Sequence, residues 1–153
     1  MLGLQGGRYV RRPVLVALIL AHVLALTLAL ALSGCGTSGT KLPVSEMTAR
    51  TNSAGVQVVD VDVHSYYFKP NRIVVKQGVP LDLTVHFKSF FVPHTFTCNE
   101  GDAGLAVSLG AGFMSFHRTK HARLTPTQTG EYEFFCHVGK HHQKGMDGTI
   151  VVR

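Results

Sequence analysis

Much of what a 153-residue chain could do is excluded by what this one lacks. After residue 35 no stretch holds a 3.6-residue apolar period, so a helical bundle is excluded and short strands remain. From Val56 to Arg153 nothing repeats, nothing is of low complexity, and there is no length for a second domain. Basic residues form no run there, which removes the electrostatic footprint of a nucleic-acid binder. Cysteine is scarce, three in all. No catalytic nucleophile or acid–base pair is visible, so the sequence does not read as a stand-alone enzyme.

The first segment that is plainly there is an export signal. Arg8, Arg11 and Arg12 precede an apolar run, Pro13 to Leu32, broken by little more than His22 and Thr27. The run is also long enough to span a bilayer as an uncleaved helix, and Arg11-Arg12 admits a twin-arginine reading. Its ending, Leu32-Ser33-Gly34-Cys35, resembles the bacterial lipoprotein processing box. That resemblance implies that residues 1–34 are removed and that Cys35 becomes the lipid-modified first residue. With either ending, the rest is expected on the extracytoplasmic face, tethered to a membrane.

Loss of the signal leaves twelve Lys and Arg against nine Asp and Glu, a mild +3. Residues 35–55, rich in Gly, Ser, Thr and Asn, read as a flexible tether. Residues 56–153 then form one domain.

Within it, "VQVVDVDVHSYYF" sets Val59, Val61 and Val63 on one side and Asp60, Asp62 and His64 on the other, the period of a half-buried strand. "PLDLTVHF" alternates most clearly, with Leu81, Leu83, Val85 and Phe87 facing in. "RIVVKQG", "HTFTC", "LAVSL", "HARLTP", "EYEFFC" and "GTIVVR" add further short strands, separated by turn residues. The fold class expected is all-β, an antiparallel Greek-key sandwich or barrel of seven to eight strands. In "TGEYEFFC" the Gly-x-Tyr opening resembles the tyrosine corner of such sandwiches. Gly110 to His121 is irregular, a loop or an extra hairpin.

The chemistry is concentrated near the end of the chain. "FFCHVGKHHQKGM" holds Cys136, His137, His141, His142 and Met146, and His94 lies in "FVPHTF" some forty residues earlier. Thiolate, imidazole and thioether are borderline-to-soft donors that suit copper in both oxidation states, whereas Mg and Ca want oxygens. Two His and one Cys around the metal with a long axial Met is the blue-copper set. Gly139 and Gly145 would turn the loop so that His141 swings beside Cys136 and Met146 returns to the axis.

These residues resemble a small cupredoxin. "YYFKPNRIVVKQGVPLDLTV", "VPHTFT" and "GEYEFFCHVGKHHQKGMDGTIVV" match that family's opening strands, first-ligand loop and terminal ligand loop in order, over nearly all of residues 56–153. The resemblance implies one copper ion held by His94, Cys136, His141 and Met146, with His141 as the surface port for electrons. A two-copper variant needs a second cysteine in the loop, and only Cys136 is there.

Other readings stay open at this level. Cys136 could pair with Cys98 in a disulfide; otherwise Cys98, on one strand face with His94 and Phe96, is a buried hydrophobe. His142 rivals His141 as ligand, and His137 faces solvent or a polar partner. His117 and His121 would share a face only if their segment were helical, and Met114 is read as packing. The function expected is electron transfer between redox protein partners by a monomer. Copper storage or delivery is the main alternative, followed by a more open catalytic copper site and a metal-free adhesive sandwich.

Overall fold

The structure is a computed structural model that describes Val16 and residues 42–153. The lipidation site expected at Cys35 and, Val16 apart, the signal expected over residues 1–34 lie outside the described residues. Among these residues no helix is long and apolar enough to cross a membrane.

The strands are β1 (Glu46–Thr48), β2 (Arg50–Thr51), β3 (Gln57–His64), β4 (Tyr67–Lys69), β5 (Arg72–Val75), β6 (Leu81–Phe87), β7 (His94–Cys98), β8 (Val107–Ala111), β9 (Thr119–Leu124), β10 (Gly130–Phe135) and β11 (Asp147–Val152). One sheet has the order β1-β5-β11-β10-β7-β8; the other has β2-β3-β6-β9, with β4 on β3. Residues 42–153 therefore form an all-β sandwich of two sheets.

Period-two alternation builds the core as expected. Val59, Val61 and Val63 of β3 and Leu81, Leu83, Val85 and Phe87 of β6 are buried, and their polar neighbours face outward. From the other sheet Ile73, Phe96, Phe134, Ile150 and Val152 meet them. Phe96 and Phe134 stack with centroids 4.5 Å apart, and Phe68 packs edge-on to both. The buried Gln57 is fully engaged, donating to Lys76 O and Val79 O and accepting from Lys76 N, which fixes the start of β3 to the turn before β6. Tyr132 donates its hydroxyl to the carbonyls of Gln128 and Thr129, the tyrosine corner that its Gly-x-Tyr setting resembles.

Three expectations are corrected. The sheets are mixed, because β3 runs parallel to β6 and β5 parallel to both β1 and β11. The tether expected over residues 35–55 is partly folded: Glu46 pairs with Arg72, Asn71 accepts from Ser45 N at 2.7 Å, and Ala49 N donates to Val74 O. This segment has little apolar periodicity, and its order comes from backbone pairing to β5. Gly110 and Ala111 close β8 and Thr119 opens β9, so the irregular segment shrinks to residues 112–118.

Candidate metal centre

Four loops meet at one end of the sandwich: residues 65–66 after β3, 88–93 after β6, 112–118 after β8, and 136–146 between β10 and β11. His94 opens β7 there, opposite Ala111 at the end of β8. Cys136 follows the last residue of β10. The 136–146 loop is closed by its own backbone, with Cys136 N donating to Met146 O, Met146 N to His141 O, and His141 N to Val138 O, each at 3.0–3.1 Å. Gly139 (φ +50°) and Gly145 (φ +86°) make the left-handed turns this closure needs.

The result is a compact donor group. His94 Nδ1 lies 3.9 Å and His141 Nδ1 3.5 Å from Cys136 Sγ. One ligand atom from each of these residues falls within 4.8 Å of the others. Met146 is fully buried, and its carbonyl accepts from Cys136 N, so the axial residue expected from the sequence closes the same loop. His94 and Cys136 are buried and His141 is half-buried.

His142 is not part of this group: its Nε2 is 3.0 Å from Glu133 Oε1 and its ring stacks on Phe135. His137 turns its Nδ1 to Thr97 Oγ1 at 3.0 Å. Cys98 and Cys136 are both free thiols, which removes the disulfide reading. Burial raises the Cys98 thiol above its ordinary pKa and makes it an inert core residue. His121 sits on β9 bonded to Thr84, so His117 and His121 share no helix. Met114, read as packing, is instead exposed, in a loop residue with φ +53°.

A model of the cupredoxin-like domain matches residues 22–152. The chain belongs to the cupredoxin-like domain family. A comparison with curated proteins finds no match. Among solved structures, the metal-binding domain of the Cu(I)-exporting P-type ATPase CopA of Streptococcus pneumoniae D39 aligns with TM-score 0.55 and 19% identity, over 73% of this chain and 99% of that one. Dithionite-reduced auracyanin from Roseiflexus castenholzii aligns with TM-score 0.54 and 14% identity, over 69% and 98%. A chain of a heme-copper terminal oxidase dimer aligns with TM-score 0.54 and 20% identity, over 95% and 100%. At these identities the likeness is one of fold.

In this cupredoxin-like domain the residues present fit copper. Burial, and then the charge of His141, pull the His94 imidazole down to about 4; burial, and then Lys144, lower His141 as well. Both rings are therefore neutral at pH 7, the form a metal requires. His94 Nε2 is buried with no hydrogen-bond partner. With the proton held on that nitrogen, the Nδ1 lone pair is directed toward Cys136 Sγ. No carboxylate joins the group, so a hard cation would find none of its preferred oxygens.

Two residues that the sequence reading passed over shape the centre. Thr95 donates its backbone N–H to Cys136 Sγ at 3.3 Å, while its hydroxyl lies 3.8 Å from Sγ and accepts from His137 N at 3.0 Å. Its only sequence signal was its place directly after His94. Tyr66, a non-glycine residue at φ +73°, sets its ring perpendicular to both His94 and His141, at 6.0 and 4.9 Å. Lys144 Nζ lies 5.2 Å above the same ring. No period or motif points to Tyr66, because a left-handed turn residue carries the ring there.

Proposed function

We propose that this chain is an exported, membrane-tethered electron carrier that holds a single copper ion through His94, Cys136, His141 and Met146. The observation that carries the reading is the convergence of two neutral imidazoles on one buried thiol; Met146 is added as the fourth donor on its place in the motif and on its carbonyl accepting from Cys136 N. Copper, when bound, supplies one-electron chemistry through Cu(I) and Cu(II). The chain's own part is to hold the donors still. Neighbouring strands of one sheet, β10 and β11, anchor the loop ends, and the Thr95 N–H from β7 of the same sheet holds Sγ in place. His141, alone of the four in being half-buried, gives the ring edge through which an electron can reach a partner.

Export and tethering are supported by the basic residues before the Pro13–Leu32 run and by the Leu32–Cys35 ending. Redox proteins as partners are supported by the likeness to auracyanin and to a chain of a heme-copper oxidase dimer. Copper storage is less well supported. Its extra histidines would have to gather, yet His121, His137 and His142 each sit on a separate polar partner.

Copper stoichiometry combined with voltammetry tests the reading. One ion per chain and a reversible one-electron wave are expected. More than one tightly held ion, or no reversible wave, would reject it in favour of storage.

A further inference from the structure

The large apolar side chains that residues 42–153 leave exposed are all at the metal end. Phe91 and Phe113 are exposed by about two thirds, Phe116 by 85%, and Met114 and Tyr66 by nearly half. The rings form a continuous group: Phe90 meets Phe91 and Phe116, and Phe91 meets Phe113, with centroids 5.2–6.2 Å apart. An exposed aromatic group of this kind marks a docking face.

Charge identifies what docks. Residues 65–66, 88–93, 112–118 and 137–146 contain no Asp or Glu, but carry Lys88, Arg118, Lys140 and Lys144. Lys88 pairs with Asp62 of β3. Arg118 lies over the Phe90 ring and Lys144 over Tyr66, so cations and aromatics are interleaved. The acids of the loops, Glu100 and Asp102, are at the opposite end, after β7. Arg118, Lys140 and Lys144 pair with no carboxylate among the described residues and outnumber Asp147, the acid at the start of β11. Rings among such cations suit an anionic lipid surface, where rings enter the acyl boundary and cations meet headgroups.

The chain's own course favours the same occupant. β1 runs parallel to β5 and β11, which start at the metal end, and the exposed Leu42 and Val44 line a groove there with Gly145, Asp147 and Gly148. The lipoprotein-type ending puts the anchor at Cys35, and the seven residues from there to Leu42 reach at most ~25 Å even when fully extended. We propose that the metal end rests on the surface of an anionic bilayer, with Phe91, Phe113 and Phe116 at the acyl boundary. This rests on the tethering proposed above, and it places the exchange of electrons against partners embedded in the same membrane.

The natural chain has no tryptophan, so single tryptophans report position. The full chain carrying Phe116→Trp, or Ser53→Trp in the β2–β3 turn at the far end, is reconstituted in liposomes of phosphatidylcholine and phosphatidylglycerol with and without brominated lipid. Phe116→Trp should emit further to the blue and be quenched roughly threefold more than Ser53→Trp, and less so without phosphatidylglycerol. Flotation with the liposomes reports tethering separately. A chain that floats but shows equal quenching at both sites overturns the docking face alone and assigns it to a soluble protein. A chain that does not float overturns the tether and the docking together.

Discussion

Tyr66 is the residue whose role is hardest to see without the fold and easiest to test. Its ring lies against His94 and His141 on the side where His141 begins to meet solvent. In the copper-free chain Tyr66→Ala should therefore let N-ethylmaleimide reach Cys136 about tenfold faster, while Tyr66→Phe should leave the rate unchanged; peptide mass spectrometry separates Cys136 from Cys98. Thr95→Val removes the acceptor for His137 N and should lower stability by about 1 kcal/mol in urea unfolding. His94 predicts a pH dependence. Its folded pKa, about 4, lies below the ordinary 6.5, so the unfolded chain takes up the proton first. The His94 contribution to the copper-free chain, about 3 kcal/mol, should be full above pH 6.5 and be lost as pH falls from there toward about 4. His141, also lowered, acts in the same direction, and Asp82 and Glu131, lowered by Arg123 and Arg72, carry the loss further down. Urea midpoints measured across that window check it, and His94→Gln should flatten the curve. The meeting of Cys136 and His141 was legible because they share one loop; Thr95 and Tyr66 were not, because their roles arise from backbone direction and a left-handed turn.

At the scale of elements, the strands were legible wherever one face is buried. β3 and β6 alternate over their whole length, and the structure pairs them in the centre of their sheet. β1, β2 and β4 were missed because two or three residues cannot show a period; their order comes from backbone pairing to β5 and β3. β11 depends on one close approach. Gly148 stands opposite Phe134, and a Cβ there would overlap the Phe134 ring and lie 2.6 Å from Asn71 O. Gly148→Ala should therefore cost about 3 kcal/mol, read as a lower thermal or urea midpoint. It should also weaken copper retention, because Met146 lies two residues earlier, directly before β11.

At the scale of the whole molecule, the two ends of the sandwich differ in kind. One end gathers the donor group, the exposed rings and cations without loop acids; the other carries polar turns and the buried Gln57 bonds. The sequence showed the donors by spacing but not this polarity, since the rings come from three loops that only the two-sheet topology brings together. The central claim, one copper on His94, Cys136, His141 and Met146, is tested most directly by adding Cu(II) to the chain and recording the visible spectrum. An intense thiolate-to-copper band is predicted at one ion per chain, lost in Cys136→Ser and His141→Gln and retained in His142→Gln. A chain with no such band, or one whose band survives Cys136→Ser, would contradict the account.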